Sequence, residues 1–561
     1  MWLFLGVFQL LLTACGQHQG ASPAQPSVAA PRVSVLTHHY DNGRTGWNNA
    51  ESILTVSAVS GARFGLLRTV PLDDQVDTQP LVVAGLSSVG GQAVGGHDVV
   101  YLTTETNTVY AIDGATGAVL VSRSLGAAVP SPQMCFSNGH TVGINGTGVI
   151  DPVSETLYVI AYTLENGVAT YRLHALDITT LQDKVTSQVI TASHALADGS
   201  IFNFNASVQR QRAALLLFNG SIYAGFASFC DFVPGQSRGW VLGWTANTLT
   251  PLAANQLTDR ATGTGYYLSS IWMSGAGLAA DSSNIYAVTG NSNPSGATYD
   301  AAGGTNFAES LIKLSPDLTS VVDWFTPQNY VFLEATDGDF GAGGVMLIPG
   351  VFGQGGASVA LAAAAGKDGA MYLLNAGALG HGGPAPASPA PVDAAAVGYC
   401  WCAESYFVGA NGPTIVSSGG GFSEIESVAH TTPLTIQLWS VPSTIPSTGP
   451  VLVKAGASSD LSGSPQDGGI FTSVSSHGPS NVVIWAVTRP TTTPDASGGY
   501  PMSLFAFSEA ATNGQLTKLY QGVAGEWGPD SMNANANTVP VVANGQVYVA
   551  TYKQLRIFGL H

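Results

Sequence analysis

The sequence predicts an all-β fold, an eight-bladed β-propeller closed by pairing an N-terminal strand with the C-terminal blade. Three observations predict it. Residues 99–117, VVYLTTETNTVYAIDGATG, read as two short strands with alternating apolar residues, a polar hairpin at Glu105-Thr106-Asn107 and an Asp113-x-x-Thr-Gly ending. This unit recurs at a spacing of about 55 to 75 residues, the range of large propeller blades rather than of solenoid repeats. The last copy lacks an outer strand, while residues 64–71, FGLLRTVP, form a strand with no local partner. A hairpin of this length cannot bury its apolar face alone, so its echoes must pack on one another.

Composition agrees. Among 561 residues, 9% are charged, 45% are hydrophobic and 68 are glycine, which suits many short buried strands joined by tight turns and argues against disorder. With 18 basic against 35 acidic residues the formal charge is -17, the wrong sign for nucleic acid. A cationic partner or metal fits that sign, although acidity also serves solubility.

In chain order, residues 1–15 read as a signal peptide. Residues 2–12 are an apolar stretch too short to span a bilayer, ending in Leu12-Thr13-Ala14-Cys15, which resembles a bacterial lipoprotein lipobox. The resemblance implies acylation of Cys15 and an extracytoplasmic protein of the cell envelope, or a secreted one if cleavage is of the ordinary kind. No later segment reaches transmembrane length, so lipid is the expected membrane contact. Residues 16–63 are a Gln-, Ala-, Ser- and Pro-rich tether followed by a polar, turn-rich segment, His38-His39-Tyr40-Asp41-Asn42-Gly43-Arg44-Thr45-Gly46-Trp47, expected across one end of the fold. Residues 64–561 form the propeller.

Its leading strands and hairpins are QPLVVAG with VVYLTTETNTVYAID, TGVIDP with TLYVIAYT and YRLHALD, ALLLFNG with SIYAGFAS and GWVLGWT, and GAGLAAD with NIYAVTGN and SLIKLSP. They continue as GGVMLIPG with SVALAAAAGKDGAMYLLN, SYFVGANG with PTIVSSGG and TIQLWSV, FTSVSSHG with NVVIWAVTR and SLFAFSE, and NTVPVVANG with QVYVATY and QLRIFGL. The orphan strand at 64–71 supplies the missing strand of the last unit, leaving no long unpaired edge. No long 3.6-period segment is present.

With Cys15 lipidated, Cys135, Cys230, Cys400 and Cys402 remain, an even count that permits disulfides outside the cytoplasm. The favoured pairing is Cys135 with Cys230; Cys400-Trp401-Cys402 is a tight pair of geometrically doubtful bonding. No second C-x-x-C or His pair completes a zinc finger. His38, His39, His140 and His477 have no metal-ligand spacing and are expected to hydrogen-bond at loop ends. No G-x-S-x-G nucleophile signature, H-E-x-x-H helix, Walker loop or strand-linked G-x-G-x-x-G is expected.

The repeat V-Y-A-x-D-x-x-T-G resembles the pyrroloquinoline quinone (PQQ) repeat, and residues 64–560 resemble the quinoprotein alcohol dehydrogenase-like propellers, a superfamily that also holds non-catalytic scaffold and lipoprotein members. The resemblance implies a site. Asn291 in Thr289-Gly290-Asn291 matches the calcium-ligating Asn of those enzymes. Asp339 in Asp337-Gly338-Asp339-Phe340 matches the catalytic base, also placed at the metal, with Asp337 nearby. Trp272 matches the indole floor beneath the quinone, and Lys367 in Gly366-Lys367-Asp368-Gly369 the basic residue beside it. Asp231, ahead of Arg238-Gly239-Trp240, stands where a ligating Glu is usual, with a shorter side chain and a longer spacing. Cys135 stands alone where two adjacent cysteines commonly cover the cofactor, Trp401 replaces an expected Asn, and no C-x-x-C-H haem motif is present.

The residue types suit the chemistry. Calcium takes hard oxygens and polarises the carbonyl that accepts hydride, a carboxylate accepts the alcohol proton, an indole holds a planar ring, and Lys steadies negative charge. Each residue also has a purely structural reading: Asn291 as turn chemistry, Asp337 and Asp339 as turn and cap residues, Trp272 as core, Lys367 as hairpin surface. Two functions follow: a PQQ- and calcium-dependent oxidoreductase of a small alcohol or sugar, passing electrons to a separate acceptor, or a non-catalytic propeller lipoprotein that binds a protein, peptide or glycan partner in the cell envelope.

Overall fold

The structure, a computed structural model, describes residues 32–131, 138–229, 236–262, 268–425, 428–461, 464, 466, 468–495, 498–528 and 536–561. Cys15, Cys135 and Asp231 lie outside the described residues, so the lipobox, the Cys135–Cys230 pairing and one expected calcium ligand do too.

Among the described residues the strand pairings resolve into eight four-stranded antiparallel units, whose first strands begin at Leu81, Val149, Leu216, Ala279, Val345, Ser405, Thr472 and Val541. The first unit is Leu81–Val83, Val99–Thr103, Thr108–Asp113 and Val119–Ser124. Its period-two alternation buries Val99, Tyr101, Val109 and Ala111. Asp113 ends the second hairpin strand by accepting the Ala115 and Thr116 amides on Oδ1, the turn chemistry its Asp-x-x-Thr-Gly motif predicts. The sixth and seventh units are joined at a single pairing, Ala457 with Gln515. In the last unit Phe64–Pro71 lies antiparallel to Gln554–Leu560, Phe64 opposite Leu560 and Pro71 opposite Gln554, so the N-terminal strand completes the C-terminal sheet.

Apolar clusters show the sheets packed in sequence order and closed on themselves. Val159 and Leu176 of the second sheet pack with Tyr101 and Val109 of the first, Trp240 and Leu242 of the third with Tyr158 and Ile160 of the second, and so onward. The circle closes where Val541, Tyr548 and Ile557 of the eighth sheet share a cluster with Val82, Val100 and Ile112 of the first. Each sheet thus buries both faces against neighbours, which is why its strands read as nearly continuous apolar runs.

Residues 35–49 are an axial plug. The segment reaches the first strand of every sheet or its immediate approach. Val35 pairs with Val82, and Leu36 O accepts the Ile150 amide. Asn42 donates to Leu217 O and accepts the Ala280 amide. Gly43, Thr45 and Gly46 carbonyls accept the Leu347, Tyr406 and Val474 amides, and Asn48 Nδ2 donates to Val542 O. Arg44 pins the centre, fully buried. Its Nε and Nη2 donate to Leu278 O at 2.8 and 2.6 Å, Nη2 to Leu215 O at 3.1 Å, and Nη1 to Thr37 Oγ1 and His38 O at 2.6 and 2.9 Å. This use of five donors in one planar fork is specific to arginine. His38 and His39 differ from the expected loop-end histidines. They are buried in the plug, stacked at 4.6 Å with both rings edge-on to Phe471, because the turn-rich segment is drawn into the centre of the ring.

Candidate functional site

Strand Ile285–Val288 ends at Thr289, Gly290 and Asn291, and helix Tyr330–Thr336 ends at Asp337, whose left-handed backbone (φ 56°) turns the chain toward Asp339. Backbone contact locks the two segments together. A Cβ at Gly341 would stand 2.3 Å from Gly290 N, so only glycine permits the approach. Asp339 Oδ1 consequently accepts the Asn291 amide at 2.8 Å, and Asp337 Oδ1 accepts Asn291 Nδ2 at 3.2 Å, fixing which way the Asn carbonyl faces. Lys367 reaches in from the hairpin of the fifth sheet, with Nζ 2.6 Å from Asp339 Oδ2 and 2.8 Å from Asp337 Oδ2, and 5.4 Å from the centre of the Trp401 ring. Burial alone would lower the Lys367 pKa, but the two carboxylates hold it well above the ordinary lysine value. Lys367 and Asp339 are 7% and 4% exposed, so the hairpin-surface reading of Lys367 is overturned.

Buried acids stand behind this group. Glu309 accepts the Phe340 amide at 2.6 Å, and Glu334 accepts the Ser292 amide at 2.8 Å. Asp259 accepts Ser292 Oγ at 2.5 Å and Asn306 Nδ2 at 3.0 Å, beside Arg238. Burial, reinforced by Asp339, pushes Glu309 well above the usual carboxylate range. Burial lifts Glu334 to about 9 and Asp259 to about 6. Burial therefore favours the neutral form of both Glu309 and Glu334, which eases the crowding of so many acids in one region.

A second polar arc, which the sequence did not single out, joins the first three sheets. Glu105, part of the polar hairpin, is 1% exposed and accepts the Gly143 amide and Asn145 Nδ2. Asp77 accepts Asn138 Nδ2 at 2.6 Å; Arg210 donates to Asn145 Oδ1, and Arg212 to the Asp77 and Asn145 carbonyls. The residues come from one hairpin turn, Glu105, and from three separate segments that each precede a sheet, around 77, 138–145 and 210–212, so no local motif marks the arc. Arg212 also packs on Gly275, where a Cβ would meet its Nη1 at 2.6 Å. That contact brings the arc to the turn that follows Trp272. Trp272 is half-buried rather than core, at the head of a turn in which Met273 and Ser274 both take positive φ (49° and 48°), a costly backbone.

The structure therefore brings Asn291, Asp337, Asp339 and Lys367 together, and sets Trp401 against Lys367. Hard oxygens of Asn291, Asp337 and Asp339 are the donor set calcium takes, and Lys367 is a cation placed for an anionic oxygen, so the residues present fit both groups. Two corrections apply. Cys400 and Cys402, whose bonding the sequence left geometrically doubtful, form a disulfide; a bend at Trp401 and Cys402 brings the Cα atoms to 5.0 Å, within disulfide range. A Gly-x-Ser-x-Gly string occurs at 235–239, but Ser237 is fully buried just ahead of strand Trp240–Thr245, not on a strand-to-helix elbow.

No family model and no curated protein matches the chain. Solved structures do. Quinohemoprotein alcohol dehydrogenase from Comamonas testosteroni is 16% identical with a TM-score of 0.57, covering 95% of this chain and 81% of its own. Quinohemoprotein alcohol dehydrogenase ADHIIG from Pseudomonas putida HK5 is 14% identical, TM-score 0.56, with 94% and 80% covered. A europium-containing methanol dehydrogenase is 12% identical, TM-score 0.57, with 94% and 98% covered. The fold shared with these structures is the β-propeller.

Proposed function

We propose that the protein is a quinoprotein-type oxidoreductase of a small alcohol or sugar, binding calcium and PQQ at the mouth formed by the fourth and fifth sheets. The convergence of Asn291, Asp337, Asp339 and Lys367 from three separate chain segments carries this reading. Asn291 and the two aspartates supply oxygens to the cation, and Asp337, its side chain 59% exposed, is the one open to solvent. Trp272 offers a half-exposed indole face. Lys367 donates to anionic oxygen, and Asp339 is the proton acceptor for a substrate hydroxyl. When bound, PQQ supplies the two-electron acceptor that these side chains lack. Cys15, as a lipidated residue, places the protein outside the cytoplasm, and a Cys400–Cys402 disulfide suits that compartment.

The test is calorimetric titration of the purified chain with PQQ and calcium, followed by dye-linked alcohol oxidation. Binding of both, with turnover lost in Asp339→Ala, supports the proposal; absence of PQQ binding removes it.

A second reading has one specific observation in its favour. Lys367 already pairs with both Asp337 and Asp339, so part of their charge is offset without an added cation. A propeller of that kind presents its mouth to a peptide, glycan or envelope protein, and substitutions there abolish capture of that partner without any redox activity to lose.

A further inference from the structure

Cys400, Cys402 and Glu404 lie on a bent segment that leads into strand Ser405–Gly409, the Cα atoms of the two cysteines 5.0 Å apart. The bend gathers these three side chains together. Trp401 faces Lys367, while a Cβ at Gly344 would stand 3.0 Å from that of Ala403. Both sulfurs and a carboxylate oxygen lie within 4.8 Å of one another, all three residues buried. Among the described residues no other group of three His, Cys, Asp or Glu meets that spacing.

Glu404 is the second, independent observation. It is 1% exposed, and neither carboxylate oxygen has a hydrogen-bond partner in another residue. Burial pushes its carboxyl up to about 7, and no neighbouring charge offsets the cost. A buried carboxylate without a donor is expensive, and a coordinated cation is one of the few things that compensates it.

We propose that reduction of the Cys400–Cys402 disulfide opens a buried three-ligand site, two thiolates and the Glu404 carboxylate, for a borderline divalent cation of the zinc class. Two thiolates and one carboxylate are a zinc-type donor set, with a fourth position left for water or a further ligand. In the oxidised state the bonded sulfurs are poor donors and the site is closed. The chemistry balances. A dithiol reductant gives two electrons and two protons to the sulfur–sulfur bond, yielding two thiols as the dithiol closes to its own disulfide. The cation then displaces both thiol protons, and that of Glu404 where it is protonated, to solvent as two metal–sulfur bonds and one metal–oxygen bond form. The site adjoins the Asp337–Asp339–Lys367 cluster through Trp401, which packs on Lys367, but its cadmium readout does not depend on the function proposed for that cluster.

Cadmium is the probe, because a thiolate–cadmium bond absorbs in the ultraviolet. The full chain is titrated with cadmium before and after dithiothreitol reduction and anaerobic desalting. The expected result is a charge-transfer band of one-to-one stoichiometry in the reduced chain and none in the oxidised one. Cys400→Ser/Cys402→Ser, which keeps Cys15, Cys135 and Cys230, is expected to lose the band. Glu404→Gln, which removes the oxygen ligand without adding volume, is expected to keep the band but weaken affinity at least tenfold. A reduced chain without the band, a band that survives the double Ser substitution, or an affinity unchanged in a folded Glu404→Gln chain each overturns the proposal.

Discussion

Lys367 Nζ stands 2.6 Å from Asp339 Oδ2 in a pair whose two side chains are 9% and 6% exposed. A pair so placed is worth little against an apolar replacement, but removing one partner leaves the other charge stranded. Lys367→Met is expected to cost about 3–5 kcal/mol in urea unfolding at pH 7. Asp337→Asn is expected to cost under about 1 kcal/mol, since that side chain is 59% exposed and solvent screens it. The Lys367→Met/Asp339→Asn double variant should recover most of the loss. Additive costs across that cycle would show that the two residues do not act as a pair.

The glycine that lets this cluster assemble gives a second prediction. At Gly341 a Cβ meets Gly290 N and Thr289 C, each at 2.3 Å, so Gly341→Ala must push the Asn291 strand end away from Asp339. Calcium affinity is expected to fall at least tenfold, as small misplacements of ligating groups do. Gly353→Ala is the control, because its nearest neighbour is at 3.5 Å. Equal affinities in the two variants would contradict the assigned role of the close approach.

The repeats were legible because burial on both faces of short strands writes itself into local patterns such as VVYLTTETNTVYAID, and even the orphan strand at 64–71 pointed to its partner. The Asn291, Asp337, Asp339 and Lys367 cluster was legible through family resemblance, on the short motifs Thr289-Gly290-Asn291, Asp337-Gly338-Asp339-Phe340 and Gly366-Lys367-Asp368-Gly369. What stayed hidden depends on chain paths rather than patterns. Glu105 belongs to a polar hairpin whose sequence does not show its burial, which comes from its contacts with Gly143 and Asn145, some 40 residues on. Arg44 sits in a polar stretch with no periodicity, and its partners Leu215 and Leu278 are 171 and 234 residues away. Nothing local announces such contacts.

The plug predicts a pH dependence. Burial lowers the His39 pKa from 6.5 to about 4, and burial followed by the charges of His39, Arg44 and Arg212 lowers that of His38. Because both folded values lie below the ordinary one, the stabilisation they carry is complete above pH 6.5 and is lost as pH falls toward 4. For His39 the loss is roughly 3 kcal/mol over that window. Melting curves between pH 7 and pH 4 check this: His39→Gln is expected to flatten the decline, and an unchanged slope would show that protonation of the plug is not its cause.

Arg44 is expected to be irreplaceable by lysine. Its guanidinium serves four acceptors, Thr37 Oγ1 and the carbonyls of His38, Leu215 and Leu278, and lies against Gly277, where a Cβ would stand 2.6 Å from Cζ. An ammonium cannot reproduce that planar set, and every carbonyl left without a donor in the interior costs about 1–3 kcal/mol. Arg44→Lys should therefore lower the melting temperature substantially and speed proteolysis near residues 35–49. A variant as stable and as resistant as the parent would mean that the plug is held by its backbone contacts alone.

Ring closure rests on Phe64, which packs against Tyr520 at 4.8 Å and Trp485 at 5.5 Å while its strand completes the eighth sheet. Phe64→Ala removes a large buried side chain where the two ends of the chain meet and is expected to cost about 3–5 kcal/mol. On the same strand Leu66 is 38% exposed, and Leu66→Ala should stay within about 0.5 kcal/mol. Because closure joins strands from opposite ends of the chain, the loss should raise hydrogen exchange first at the amides of Gln554–Leu560 that pair with Phe64–Pro71, ahead of global unfolding. Exchange that rises evenly over all eight sheets would place the weak point of the ring elsewhere.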